Sequence, residues 1–300
     1  MKRIHGLLAA FCFVVASIPI ASVAKLPTRA PTVSQSFSFA AIDFPAATRT
    51  RARSVNDLGD IVGFYSDASK VRHGYLLSQG TFTTLDPPGA IETRAVAINN
   101  TGVIGGNFLD SGGVRHSFLL ERGVFTIFDF PRATATALQG INNRGQVVGT
   151  YNDSSGNQHG FLRSAGRFTT VDFPSAITGT VAEGINEQGQ VVGLYGDAAG
   201  NAHGFLLSAG QFTTIDFPGA FSVTQPVGIR ANGQIVGFYD DGNGTVHGFV
   251  LSAGTFSTLD FPTSFGTEAF GVNEAGQIVG LYLSSGEHGF LATPGPSQMP

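Results

Sequence analysis

The chain has 300 residues, with 41 glycines and 26 phenylalanines but one cysteine and no tryptophan. Charged residues make up 13% of it, and the formal net charge is −4. One cysteine excludes a disulfide framework and a zinc–thiolate site, and the slightly acidic balance argues against nucleic acid as a partner.

The N-terminus has the pattern of a secretory signal peptide. Two basic residues come first, an apolar run follows at 6–21, and small residues occupy 22–24. This order is typical of an export signal, and the apolar run is short for a membrane span of about 20 residues. We therefore predict a signal peptide at 1–24, a flexible leader at 25–36, and a secreted protein, extracellular or periplasmic, with no membrane span in the mature chain. Cys12 lies inside the signal, so the mature chain would contain no thiol.

One pattern then recurs six times between residues 37 and 295, and a short tail follows at 296–300. A His that precedes a Gly-Phe-Leu-like run recurs every 41–44 residues, and an Asp that opens an Asp-Phe-Pro-like run recurs every 43–44. The histidines are His73, His116, His159, His203, His247 and His288. The aspartates are Asp43, Asp86, Asp129, Asp172, Asp216 and Asp260. A repeat of about 43 residues is typical of one blade of a β-propeller.

The fourth copy shows how a repeat is built. Alternating residue types predict four strands, at 181–185, 190–195, 203–207 and 211–217. Between the first two, Asn186-Glu187-Gln188-Gly189 predicts a type I turn that ends on a residue with positive φ. Four strands in one repeat form the blade that a propeller requires.

The two ends of the repeat region complement each other. The last copy, at 265–295, contains three strands and lacks the fourth, while residues 39–45 at the other end match the fourth strand of 212–218. Five whole copies and one split copy predict an all-β fold, a six-bladed β-propeller at 37–295 whose last blade is closed by the N-terminal strand. An open solenoid or another blade count is the alternative, although an open solenoid would have no use for this complementarity.

Charge is distributed unevenly along the ring. Residues 25–167 contain 14 basic and 10 acidic residues, whereas residues 168–300 contain 1 basic and 11 acidic residues. One half of the ring should therefore be mildly positive and the other negative. Drift among duplicated copies explains this difference, and binding of a polyanion to the positive half is the alternative.

The units GINNRGQVVG–HGFL, GINEQGQVVG–HGFL and GVNEAGQIVG–HGFL resemble the bacterial extracellular HAF repeat family. The resemblance covers residues 37–295, although Gly, or Ser117 in the second copy, replaces the central Ala of the His-Ala-Phe triplet. It implies export and a propeller-like array, and it brings no catalytic residue to place.

The repeated His and Asp are the obvious candidates for chemistry, but a catalytic site needs one asymmetric constellation, and these residues recur in every copy. We interpret them as a structural hydrogen-bond network within each blade, since buried polar groups need partners. Residues 240–244, Asp-Asp-Gly-Asn-Gly, faintly resemble a calcium loop, but a turn explains them better. No nucleophile elbow, HExxH or phosphate-loop motif occurs, so we predict no metal, no cofactor and no catalytic residues.

Residues that are not repeated are the better guide to function. The loops that join one blade to the next vary in sequence, and four arginines lie in or beside them: Arg49, Arg51, Arg94 and Arg132. We predict that they cluster near the channel mouth and bind an acidic group, such as a uronate or sulfate of a polysaccharide, because Arg forks suit such anions. Solvated surface arginine is the alternative interpretation.

The sequence therefore favours a secreted, monomeric, non-enzymatic module that binds a glycan or a protein at the cell envelope or outside the cell. A propeller enzyme, such as a polysaccharide lyase or hydrolase, is the second hypothesis, because the fold does not decide between the two. A structural adhesin or matrix scaffold is the third.

Overall fold

The computed structural model describes residues 36–295 and the backbone of Ala24–Lys25. The predicted signal peptide except Ala24, the predicted leader except Lys25 and Ser36, and the tail at 296–300 lie outside the described residues. Across 36–295 the regular structure is β-strand, and this part of the chain has no helix long and apolar enough to cross a bilayer.

The strands are β1 (Ala24–Lys25), β2 (Phe37–Ile42), β3 (Arg49–Val55), β4 (Ile61–Ser66), β5 (Arg72–Ser78), β6 (Thr81–Leu85), β7 (Glu92–Ile98), β8 (Ile104–Leu109), β9 (Arg115–Glu121), β10 (Val124–Phe128), β11 (Ala135–Ile141), β12 (Val147–Asn152), β13 (Gln158–Ser164), β14 (Arg167–Val171), β15 (Thr180–Ile185), β16 (Val191–Gly196), β17 (Ala202–Ser208), β18 (Gln211–Ile215), β19 (Thr224–Ile229), β20 (Ile235–Asp240), β21 (Val246–Ser252), β22 (Thr255–Leu259), β23 (Gly266–Val272), β24 (Ile278–Leu283) and β25 (Glu287–Pro294).

These strands form six antiparallel blades of four strands each, so the predicted six-bladed β-propeller is confirmed. Blades 1 to 6 are, in order, β3–β6, β7–β10, β11–β14, β15–β18, β19–β22 and β23–β25 with β2. The short strand β1 adds to the outer edge of blade 4, parallel to β18.

The last blade is split between the two ends of the chain, as the sequence predicts. Strand β2 pairs with β25 in antiparallel register, from Phe37 opposite Pro294 to Ile42 opposite Gly289. Ile42 is buried in one apolar cluster with Ala52 and Tyr75 of blade 1. The N-terminal strand therefore both completes blade 6 and joins it to blade 1.

Each blade packs an aromatic ring from its third strand over a glycine of its second strand. In blade 4, Phe205 is fully buried, and a Cβ placed on Gly193 would lie 3.0 Å from its ring. The equivalent rings, all with zero exposure, are Tyr75, Phe118, Phe161, Phe249 and Phe290. The Val-Val-Gly run of the repeat is thus explained, because the glycine leaves room for the ring.

Adjacent blades meet at a boundary that we call a seam, and the Phe of the Asp-Phe-Pro run belongs to it. In the fourth copy the predicted strand at 211–217 ends at Ile215 instead, two residues earlier. Phe217 leaves the strand because it is bonded to the next blade: its N–H donates to Oγ1 of Thr224 at 3.1 Å, and its ring stacks on Tyr239 with centroids 3.6 Å apart. We call this residue the seam phenylalanine. The stacked pairs are Phe44–Tyr65, Phe130–Tyr151, Phe173–Tyr195, Phe217–Tyr239 and Phe261–Tyr282.

Candidate functional site

The ring has two faces, and its loops divide between them. The loops that join blades lie on the same face as the loops between second and third strands, since Thr48 Oγ1 donates to the carbonyls of Ser66 at 3.2 Å and Asp67 at 3.1 Å. We call this the loop face. The short turns between first and second strands lie on the opposite face, the turn face.

Repeated asparagines hold the turn face together. Asn142 Oδ1 accepts from the N–H groups of its own turn at 3.0–3.1 Å, while its Nδ2 donates to the carbonyl of Asn186 in the next blade at 3.0 Å. The same bond from Asn273 to the carbonyl of Asn56, at 3.1 Å, closes the ring. In blade 5, Arg230 replaces this Asn, and its Nη1 donates to the carbonyl of Glu274 in blade 6 at 2.7 Å. These residues bind blade to blade, so the turn face is structural.

The repeated histidines lie one to a blade, each with its Nδ1 2.7–3.0 Å from the repeated Asp of the same blade. His203 also places Nε2 3.2 Å from Asp197 and stacks on Tyr195. Burial by itself would lower the pKa of His203, but hydrogen bonds to Asp216 and Asp197 outweigh it and raise the pKa above its ordinary value. Each imidazole is thus held by carboxylates of its own blade, as a structural role requires.

Backbone N–H groups that donate to a carboxylate explain residues 240–244, which faintly resemble a calcium loop. Oδ1 of Asp241 accepts from the N–H groups of Asn243 at 2.8 Å and Thr245 at 3.1 Å, so this carboxylate closes a turn.

An ion pair crosses the central channel. Arg53 of blade 1 and Glu183 of blade 4 face each other across the ring, with Nη2 3.9 Å from Oε2. Gln225 donates to the other oxygen of Glu183 at 2.9 Å, and the guanidinium of Arg53 lies 4.2 Å from the centre of the Phe270 ring. Burial raises the pKa of Glu183 and lowers that of Arg53, and the opposite charge of each partner works against this. Both side chains line the central channel together with other residues of the innermost strands.

A recess at the loop-face mouth brings together three of the four predicted arginines. Its volume is about 80 Å³, and Arg49, Arg51 and Arg94 line it with Arg72 and Glu287. Arg49, Arg51 and Arg72 come from blade 1 and Arg94 from blade 2. We call this the arginine recess.

Two carboxylates partly neutralise these arginines. Glu287 of blade 6 accepts from Arg51, at 2.5 Å from Nε and 2.9 Å from Nη2. Glu92 accepts from Arg72 at 3.0 Å and from Arg94 at 2.7–2.9 Å. Glu268, whose pKa burial raises, also lies close enough to act on Arg51. Four guanidinium groups against these three carboxyl groups leave the recess with a net positive charge.

Both carboxylates are held ionised. Burial by itself would raise the pKa of Glu92, but hydrogen bonds and charge from Arg72 and Arg94 outweigh burial and lower it. The pKa of Glu287 is lowered in the same way, chiefly by Arg51. The recess is therefore positively charged even when Glu92 and Glu287 are both ionised.

Arg132 does not line the recess. It lies in the exposed turn between blades 2 and 3, with φ of 66°. The repeat alignment contains the reason: Arg51 and Arg94 both follow the repeated Asp by eight residues, whereas Arg132 follows it by three. Three residues of the recess were not predicted: Arg72, Glu92 and Glu287. They come from three different blades, so the alignment of the repeats does not show that they lie close together.

No protein-family model matches the chain, and no curated protein matches it. Solved structures do. A lectin of Aleuria aurantia in complex with Fucα1-6GlcNAc is 11% identical, with a TM-score of 0.52 over 84% of this chain and 98% of that one. The SapL1 lectin in complex with α-methyl fucoside is 11% identical, with a TM-score of 0.54 over 81% and 95%. TolB from Acinetobacter baumannii is 13% identical, with a TM-score of 0.56 over 78% and 64%. At these identities the similarity concerns the fold.

Proposed function

We propose that the protein is a non-enzymatic binding module, exported from the cytoplasm, which recognises acidic sugar residues of a glycan at the arginine recess. The observation that carries this proposal is the convergence of Arg49, Arg51, Arg72 and Arg94 on one recess of the loop face. None of the structural bonds that the six blades share uses these four side chains.

The chemistry of the recess suits a carboxylate or a sulfate. A guanidinium group presents a planar fork of N–H donors that matches both anions. Within residues 36–295, Arg49 forms no ion pair within 4.0 Å, so it is free to pair with a ligand. Arg51 and Arg94 are anchored by Glu287 and Glu92, which fixes their positions before a ligand arrives and lowers the entropy cost of binding.

Two further observations support a glycan and export. The similar structures include lectins solved with fucosides, so other proteins with this kind of fold bind sugars. The N-terminal signal pattern and the resemblance to HAF repeats both predict a protein outside the cytoplasm.

Calorimetry and thermal unfolding of residues 25–300 test the proposal. The probes are oligogalacturonate, alginate oligomers and chondroitin sulfate, with neutral galacto-oligosaccharide as the uncharged match. We expect at least one acidic probe to bind and to raise the free energy of unfolding by about 2.7 kcal/mol at 100 times its Kd. Binding should weaken as salt increases, because the recess is open to solvent.

Two arginine variants make the test specific. Arg49→Ala should weaken binding of the acidic probe about tenfold, or about 1.4 kcal/mol, without changing stability. Arg132→Ala, outside the recess, is the matched control and should bind normally. Equal affinity of Arg49→Ala and the parent chain, or no binding of any acidic probe, would contradict the proposal. Shortening of the probe during the experiment would instead favour an enzyme.

A further inference from the structure

The loop between blades 4 and 5 runs from the repeated Asp216 to Thr224, which bonds the seam phenylalanine. It shares this length with the loop from Asp172 to Thr180, and both are one residue longer than the loop from Asp129 to Thr136. The loop is also tied to blade 4, because the N–H of Ala202 donates to the carbonyl of Ser222 at 2.8 Å.

Asp240 fixes this loop from the other side. Its Oδ1 accepts from the N–H groups of Ser222 at 2.9 Å and Val223 at 2.8 Å, and its Oδ2 accepts from the Ser222 hydroxyl at 2.8 Å. No other blade has Asp at this position; the equivalents are Ser66, Leu109, Asn152, Gly196 and Leu283. Five blades fold without this carboxylate, so the propeller fold does not require it, and its effect is to hold one loop rigid.

The rigid loop presents an aromatic ring to solvent. Phe221 is 74% exposed. A Cβ on Gly242 would lie 3.0 Å from the Phe221 ring, so that glycine lets the ring rest against the backbone of blade 5. One side of the ring is thereby supported, and the ring is held in place without being covered.

A groove of about 400 Å³ lies beside Phe221, and Asn201, His203 and Asp216 line it. Ligand sites are typically about 300–1,000 Å³ in volume. Asp216 bonds His203 through Oδ1, which leaves Oδ2 to accept from a ligand, and Asn201 uses Nδ2 to bond Asp197, which leaves Oδ1. The groove thus offers an apolar ring beside two acceptor oxygens.

We infer that this groove, between blades 4 and 5, binds a neutral pyranose whose C–H face stacks on Phe221 and whose hydroxyls donate to Asp216 and Asn201. A pyranose ring has an apolar C–H face and a rim of hydroxyl donors, which is the complement of the groove. An acidic sugar is disfavoured, because the groove lies in the half of the chain, 168–300, that has 11 acidic residues and 1 basic residue.

This site is separate from the arginine recess and takes a ligand of different charge. The probes that test it are the methyl pyranosides of glucose, galactose, mannose, N-acetylglucosamine and fucose, with methyl glucuronide as the charged match of the glucoside. Saturation-transfer NMR with residues 25–300 detects contact with the C–H face of each sugar, and titration gives the affinity. We expect at least one neutral pyranoside to bind with a Kd near or below about 1 mM.

Two phenylalanine variants locate the contact. Phe221→Ala should weaken binding about tenfold or more, while Phe221→Tyr should retain it, since tyrosine keeps the ring. Phe265 is 73% exposed at the equivalent place between blades 5 and 6, so Phe265→Ala is the matched control and should bind normally. Arg49→Ala should also bind the neutral sugar normally, which separates this inference from the proposed function.

Three outcomes would overturn the inference. The first is that none of the five neutral pyranosides binds. The second is that Phe221→Ala and Phe265→Ala lower the affinity equally or not at all. The third is that methyl glucuronide competes with the neutral sugar for the same contact.

Discussion

The seam between blades 2 and 3 has the seam phenylalanine, and the seam between blades 1 and 2 lacks it. In the former, the N–H of Phe130 donates to Thr136 Oγ1 at 2.9 Å, and its ring stacks on Tyr151 at 3.6 Å. In the latter, Pro87 replaces the seam phenylalanine and supplies neither an N–H nor an aromatic ring. Thr93, 1% exposed, is left with a hydroxyl that has no hydrogen-bond partner among the described residues.

At the exceptional seam an ion pair adds to the apolar packing between Leu85 of blade 1 and Phe108 of blade 2. Arg72 of blade 1 bonds Glu92 of blade 2 at 3.0 Å, and Glu92 also bonds Arg94. The arginine recess is built around these residues. The same seam phenylalanine joins the other blades, including blades 6 and 1, where Phe44 stacks on Tyr65 beside the Arg51–Glu287 ion pair. The arginine recess therefore spans one seam that has the phenylalanine and the one seam that lacks it.

Removing a seam phenylalanine should have the largest effect. Phe173 is 3% exposed, stacks on Tyr195 and meets Phe212 edge-on at 5.2 Å. Phe173→Ala should lower the free energy of unfolding by about 3–5 kcal/mol, as is usual when a buried aromatic ring is removed. Urea unfolding followed by circular dichroism measures the change.

Pro87→Ala is the matched variant at the exceptional seam. It removes no aromatic ring, and its new N–H can donate to Thr93 Oγ1, which offsets the greater freedom of the unfolded chain. We therefore expect a change in the free energy of unfolding below about 1 kcal/mol. Equal costs at the two positions would mean that the aromatic stack contributes little to the seam.

Threonine variants test the hydrogen bond alone. Thr136→Val keeps the shape of the side chain but leaves the N–H of Phe130 without an acceptor, so it should cost about 1–3 kcal/mol. Thr93→Val removes a hydroxyl that already lacks a partner and should be neutral or stabilising. Thermal unfolding of the two variants measures the difference. A loss of stability in Thr93→Val as large as that in Thr136→Val would contradict this account.

Restoring the repeat should stabilise the exceptional seam by a smaller amount. Pro87→Phe supplies an N–H to Thr93 Oγ1 and a ring beside Phe108, but it also frees the unfolded chain by about 0.4–1 kcal/mol. We expect a net gain of about 1 kcal/mol in urea unfolding. The gain should shrink in the Thr93→Val background, because the new hydrogen bond needs the hydroxyl; an unchanged gain would mean that the ring alone accounts for it.

Much of the fold could be predicted from the sequence because the same pattern of strands and turns recurs in six copies. The split blade follows from the match between 39–45 and 212–218, and β2 pairs with β25 accordingly. The end of the fourth strand could not be placed, because alternation continues through Asp216 and Phe217 although neither lies in the strand. Both are used by partners on other strands, the first by His203 and the second by Tyr239.

The candidate sites were harder to predict, since each joins residues that only the closed ring brings together. Arg51 and Glu287 are 236 residues apart in sequence. The role of Phe221 depends on Asp240 and Gly242, whose sequence context indicates only a turn. What the sequence did indicate is that function should lie in residues that the copies do not share. The arginine recess meets that condition. The groove meets it only in part, because Asp240 is found in one copy whereas His203 and Asp216 recur in all six.

The smallest expected effect is a pH dependence of stability that blades 2 and 3 share. Hydrogen bonding to Asp129 raises the pKa of His116 in blade 2; in blade 3, burial would lower the pKa of His159, but hydrogen bonding and charge from Asp172 outweigh it and raise the pKa. A pKa raised on folding means that the folded state binds the proton more tightly. This stabilisation is complete below the unfolded value of about 6.5 and is lost as pH rises through the higher folded value.

The free energy of unfolding should therefore fall as pH rises from about 6 to about 8, and His116→Asn and His159→Asn should each remove a similar share of that slope. The shares should match although His116 lies at a tilt against Phe108 and His159 stacks on Tyr151, because the carboxylates and not the aromatic partners raise the pKa. Urea unfolding at several pH values measures the slopes. A slope that His159→Asn removes and His116→Asn leaves intact would show that the missing seam phenylalanine also weakens the histidine network of blade 2.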